Sequence, residues 1–135
     1  MNILIIDAQG GGIGKQLIAA IKEEIKNAEI TAVGTNTAAT AAMLKAGADN
    51  GATGENAVKV CCKNADIIAG PIGIIIADAM LGEVTPKMAL SVAQSNAKKF
   101  LIPFNNCNIC VAGVTAKNVS SYVNETVNKI KAMMN

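Results

Sequence analysis

Residues 10–14, Gly-Gly-Gly-Ile-Gly, place four glycines in five positions, between an apolar run and an amphipathic pattern. Backbone N–H groups in such a turn can surround a phosphate, and the dipole of a following helix favours its negative charge. Glycine suits the turn because a Cβ blocks close approach and disfavours positive φ. Lys15 follows at once. A cation in a helix's first turn opposes the dipole, and a bound anion resolves that opposition. The bland alternative is an extended lysine with its charge in water. Asp7, at the end of the apolar run, works against a phosphate unless it accepts loop N–H groups or holds a metal ion.

The spacing matches three nucleotide motifs incompletely. The pattern G-x-G-x-x-G takes Gly10 and Gly12 but ends at Lys15. The short-chain dehydrogenase form, G-x-x-x-G-x-G, takes Gly12 and Gly14, with Ile13 between them and Ala8 where its first glycine belongs. The P-loop takes Gly14 and Lys15, with Gln9 at its first glycine and Gln16 where a magnesium-binding hydroxyl belongs. The dehydrogenase-like form fits best. A dinucleotide site usually carries an acidic residue about 20 residues after the glycines, for the ribose. Here Gly34-Thr35-Asn36 stands in that region. Thr35 and Asn36 can hydrogen-bond a ribose without selecting by charge, and they serve equally well as a helix N-cap. NAD or NADP is the leading cofactor on this reading, its identity open. A tight strand-to-helix turn with no ligand is the alternative.

Acid–base chemistry has few carriers. The chain has no His, which removes the usual general base near neutral pH and every His-containing metal site or triad. The one Tyr, Tyr122, has Thr126 four residues on where short-chain dehydrogenases have Lys. Asp7, Asp78 and Glu83 are left as candidate acid–base residues of an oligomeric enzyme. Cys61-Cys62 and the pair Cys107 and Cys110 lack the two-CxxC spacing of a zinc site. The CxxC also enters an expected strand, whereas a redox pair sits at a helix N-terminus. Structural thiols, and no metal site, are expected.

The elements that position these residues follow from hydrophobic pattern. Residues 2–7 form a non-alternating apolar run, the mark of a strand buried on both faces. Leu17, Ile18, Ile21 and Ile25 share a helix face, and residues 29–34 read as a second strand, completing a βαβ unit. A helix over 37–46 stops at Gly47, and Asn50-Gly51 marks a turn. A short helix over 55–63 leads to a third strand at 66–69, then Gly70-Pro71. Residues 72–81 fit strand or helix, with helix favoured. Thr85-Pro86 reads as an N-cap with proline at N1, opening a helix to residue 96. Residues 100–104 and 110–114 read as a fourth and fifth strand, too close together for a parallel crossover and so antiparallel. A final helix over 116–133 stacks Val119, Tyr122, Val123, Val127 and Ile130. The expected fold is a single α/β domain, 1–135, a three-layer Rossmann-like sandwich with a mostly parallel sheet and an antiparallel last strand.

Composition bounds the partners. Of 135 residues, 51% are hydrophobic and 16% charged, with net charge +2. So little charge leaves apolar surface to pair with another copy, and a homodimer or larger is expected, with 72–81 as the contact. All basic residues are Lys, dispersed, and aromatics are scarce, which argues against nucleic acid. No apolar run reaches the length of a membrane span, and no basic region precedes the first apolar run, so a cytoplasmic protein is expected.

The stretches "IDAQGGGIGKQL", "TNTAATAAMLKAGADNGATGENA", "GPIGIIIADAMLGEVTPKMA" and "KKFLIPFNNCN" together resemble a family of short bacterial proteins of unknown function. The resemblance covers most of the chain and implies a Rossmann-like domain, with no activity attached. The reading that results is a small, non-catalytic or regulatory nucleotide-binding protein. Gly10, Gly11, Gly12, Ile13 and Gly14 would hold phosphate with Lys15 beside them, Thr35 and Asn36 would reach the ribose, and Gly70 and Pro71 would form the opposite wall. The remaining alternative is a structural or interaction module with a vestigial loop.

Overall fold

The computed structural model describes residues 1–103, 108–115 and 117–134. Among the described residues five strands form one sheet: β1 (Asn2–Asp7), β2 (Glu29–Gly34), β3 (Asn50–Thr53), β4 (Ile67–Pro71) and β5 (Lys98–Ile102). Their order is β3-β2-β1-β4-β5, and every pairing is parallel. Five α-helices among the described residues connect and cover them: α1 (Gly12–Glu24), α2 (Thr37–Lys45), α3 (Glu55–Asn64), α4 (Pro86–Gln94) and α5 (Val119–Met134).

The alternation of side chains along a strand divides the core in two. Ile3 and Ile5 of β1 point to one face, where they pack with Leu17, Ile18 and Ile21 of α1, Met43 of α2, and Tyr122, Val123 and Val127 of α5. Leu4 and Ile6 point to the other face, against Val58 and Cys62 of α3 and Met88 and Val92 of α4. Both faces being covered, β1 has no polar side, which is why its sequence is a continuous apolar run. Each of these fully buried isoleucines and leucines stabilises the fold by about 1.5–3 kcal/mol before chain entropy is charged against it.

The strand order reverses between β1 and β4, so the C-terminal ends of these two strands flank the crevice where ligands of doubly wound sheets sit. The register aligns Asp7 of β1 with Gly34 of β2. The glycine loop and the Thr35-Asn36 turn therefore emerge side by side at the same edge of the sheet.

Three expectations change. Among the described residues there is no antiparallel last strand. β5 pairs in parallel with β4 as an edge strand, and residues 110–114 are exposed and turn at Ala112-Gly113, where Gly113 has φ of 85°. A glycine in the left-handed region ends extended backbone, so the short apolar run cannot continue a ladder. Residue 104, the expected end of the fourth strand, lies outside the described residues. Asn50-Gly51 opens β3 rather than a turn. Residues 72–81 are not an α-helix: a 3-10 turn, Ile72–Ile75, is followed by Asp78, Met80 and Leu81 at positive φ, which no right-handed helix accommodates. That segment packs inward through Ile74 and Ala79, while Ile72, Ile75, Ile76 and Met80 are half-buried and Ala77 and Leu81 are exposed, Leu81 almost fully (99%). Among the described residues no helix is long and apolar enough to cross a membrane.

Candidate functional site

The loop from β1 to α1 is held by Asp7, which is buried. Its Oδ1 accepts the N–H of Ala8 at 2.7 Å and its Oδ2 that of Gly14 at 2.7 Å. The first of the two routes by which this carboxylate tolerates its position, accepting loop N–H groups, is thus the one the structure shows. Burial pushes the Asp7 carboxyl above its ordinary range, against the pull of the N–H groups of Gly14, Ala8 and Ile13, and the nearby Glu83 charge adds to the rise.

The glycines divide by role. Gly11 is the N-cap of α1 with φ of 72°, and a Cβ there would meet the Ala39 carbonyl oxygen at 2.9 Å. Gly14 is buried, and a Cβ there would meet Met43 Sδ at 2.5 Å. These two let α1 lie close to α2 and β1. Gly10 and Gly12 are exposed, and a Cβ at either would meet no atom within 4 Å. Of the loop's four glycines, these two alone face open space. Ile13 leans on the core and Lys15 is exposed. Of the loop's other donors, the Gly11 N–H bonds Ala8 O and the Lys15 N–H bonds Gly11 O.

Thr35 and Asn36 are both engaged. Asn36 Oδ1 accepts the Ala39 N–H at 2.9 Å, so Asn36 is the N-cap of α2. Its Nδ2 donates to Gln9 O at 2.9 Å and to Glu83 Oε1 at 2.8 Å. Thr35 Oγ1 donates to the same Glu83 oxygen at 2.8 Å, and its backbone N–H bonds Asp7 O. The third donor to Glu83 Oε1 is the backbone N–H of Gln9, at 2.8 Å. Gln9 itself sits at φ of 51°. Glu83 is half-buried, and the Gln9 N–H, Thr35 and Asn36 hold its carboxyl below the ordinary range, in spite of some desolvation.

Gly70 and Pro71 are buried in β4. A Cβ on Gly70 would collide with the Ile6 carbonyl oxygen, so its smallness serves the β1–β4 contact. Asp78 is exposed, and its side chain makes no hydrogen bond among the described residues. Asp7 and Glu83 are within electrostatic reach of each other, each already accepting N–H groups.

The Cys62 thiol is pushed up to about 11 by burial and by its neighbour Cys61, whose own thiol is raised by burial. Cys110 is exposed and Cys107 lies outside the described residues. Among the described residues, no group of three or more Cys, Asp or Glu is placed to hold a metal ion.

The model of a domain of unknown function, DUF3842, matches residues 2–135, and the chain belongs to that family. No curated sequence matches it. Among solved structures, a dodecameric FMN-dependent UbiX-like decarboxylase from Escherichia coli O157:H7 aligns with 13% identity and a TM-score of 0.47, over 99% of this chain and 94% of that one. A likeness this slight brings neither a flavin nor an assembly to the present chain.

Proposed function

We propose that this member of the DUF3842 family binds a nucleotide or dinucleotide at the crevice outside the C-terminal ends of β1, β2 and β4. The observation that carries the reading is the pairing of a strand-order reversal at β1 with a glycine loop whose Gly10 and Gly12 face open space. Doubly wound sheets place ligands at that crevice, and a loop without side chains lets backbone N–H groups approach a phosphate. Lys15, exposed in the first turn of α1, supplies a charge of the right sign. NAD and NADP are the first candidates because the loop best fits the dehydrogenase-like spacing.

The role proposed is binding or regulation. The two carboxylates nearest the loop are already acceptors of loop N–H groups, Asp7 for Ala8 and Gly14 and Glu83 for Gln9. Such fixed, multiply bonded carboxylates support architecture better than proton transfer.

A thermal-shift screen against NAD, NADP, FAD, ATP, GTP and phosphosugars tests the reading. At ligand concentrations 100-fold above Kd, binding stabilises by about 2.7 kcal/mol. The expected result is a rise in Tm with at least one nucleotide. No rise with any of them removes the reading.

A further inference from the structure

Glu83 reaches the site from an unexpected direction. The segment 76–84 leaves the β4 side of the crevice and ends against residues that follow β1 and β2. Its turns are closed by Asp78 N–H to Val84 O at 2.7 Å, Gly82 N–H to Asp78 O at 3.1 Å and Val84 N–H to Ala79 O at 3.2 Å. Asp78, Met80, Leu81 and Gly82 all have positive φ. Three of these are not glycine, and such backbone persists only where the surrounding structure enforces it. Its result is a carboxylate laid beside the end of β2.

That place has a chemical meaning. An acidic residue at the end of the second strand is what a dinucleotide site uses for ribose hydroxyls, and β2 of this chain ends at Gly34, followed by Thr35 and Asn36, without one. Three donors from two loops fix Glu83 Oε1. Oε2 makes no hydrogen bond among the described residues. An ionised carboxylate only accepts, and the depressed pKa keeps this one ionised.

Resting on the nucleotide reading above, we infer that Glu83 determines the sugar specificity of the site: its free Oε2 accepts a ribose hydroxyl and its charge rejects a 2′-phosphate. The chain has no Arg to answer such a phosphate. The ligand class is then a nucleotide with an unmodified ribose, of the NAD kind rather than the NADP kind.

The test is calorimetric titration of the wild type, Glu83→Gln and Thr35→Val with NAD and with NADP, which differ only by the 2′-phosphate. A hydrogen bond to a charged group is worth about tenfold or more in affinity. The wild type should prefer NAD by about that factor, Glu83→Gln should reduce the preference to about threefold or less, and Thr35→Val, which removes one donor aiming the carboxylate, should shift it the same way by less. An unchanged preference in Glu83→Gln overturns the inference. Tighter binding of both nucleotides by Glu83→Gln also overturns it, and makes Glu83 an obstruction. If neither dinucleotide binds the wild type while another nucleotide of the thermal screen does, the sugar assignment fails and the nucleotide reading stands. If none binds, both fail.

Discussion

Gly11 and Gly12 are neighbours in sequence with opposite structural duties, and substituting each by alanine separates them. Gly11 holds φ of 72° and faces the Ala39 carbonyl oxygen, which an added Cβ would meet at 2.9 Å and the Ala39 Cα at 3.1 Å. The left-handed backbone costs a residue with a Cβ about 1–2 kcal/mol. Pushing α2 back by a few tenths of an ångström adds about 1–2 kcal/mol. Gly11→Ala should therefore lose about 2–4 kcal/mol. Gly12 is the first residue of α1, has ordinary φ, and an added Cβ meets nothing within 4 Å. Gly12→Ala narrows the unfolded ensemble without strain and should gain about 0.4–1 kcal/mol. With an unfolding entropy of about 2.1 cal/mol/K per residue, a chain of 135 residues changes Tm by roughly 3–4 °C per kcal/mol. Thermal melts followed by circular dichroism should show Gly11→Ala down by roughly 6–16 °C and Gly12→Ala level or up by a few degrees. Equal melting of Gly11→Ala and wild type, or a comparable loss in Gly12→Ala, would refute the division of roles.

Other outcomes follow from the same geometry. Stability should fall as pH drops below about 4.5, because Glu83 and Asp49 have folded-state pKa values lowered from 4.5 and 3.8 and lose their bonded, ionised forms on protonation. Asp7 acts oppositely, since a raised folded-state pKa favours the folded chain at the acid end; urea titrations from pH 3 to 7 should show the acid loss flattened in Glu83→Gln and Asp49→Asn. Thiol titration of the native protein at pH 8 should find Cys62 slowest among Cys61, Cys62 and Cys110, reacting fully only on unfolding, and a rate for Cys62 equal to that of Cys110 would contradict its burial. Metal analysis should return no stoichiometric zinc or iron, and about one ion per chain would overturn the thiol reading. Light scattering at micromolar concentration should give a dimer or larger, with the contact at 72–81, where Leu81 and Ala77 are exposed and Ile72, Ile75, Ile76 and Met80 are half-buried, and a clean monomer mass would remove the expectation of assembly.

The parts of the fold that sequence exposes are those with dense hydrophobic signal. β1 and β2 stand at their expected bounds, and Thr85 caps α4 as its Thr-Pro pair indicates, accepting the Met88 N–H at 3.1 Å. β3 was invisible because an edge strand of Asn-Gly-Ala-Thr buries little: Ala52 alone is half-buried, and Leu44 occupies the space where a Gly51 side chain would go. The composition of 72–81 suits a helix, whereas positive φ at Asp78, Met80 and Leu81 breaks one. Glu83 was legible as a chemically able residue, but its placement was not. Its contact with Asn36 spans 47 positions, and no local pattern encodes a pairing that distant. Asn36 shows the reverse: its N-cap role is local and was readable, whereas its contact with Glu83 appears only in three dimensions.

The most direct test of a ligand at the glycine loop is a backbone amide NMR titration of wild type and Gly12→Val, using the nucleotide that raises Tm most. Valine at position 12 fills the open space above the loop without touching the core. The expected result is that the largest shifts in the wild type fall on Gly10, Gly12 and Lys15, and that Gly12→Val stays folded and no longer responds. Largest shifts elsewhere, for instance in the groove of about 510 Å³ that Lys59, Lys63 and Lys87 line between α3 and α4, or unchanged affinity in Gly12→Val, would contradict it.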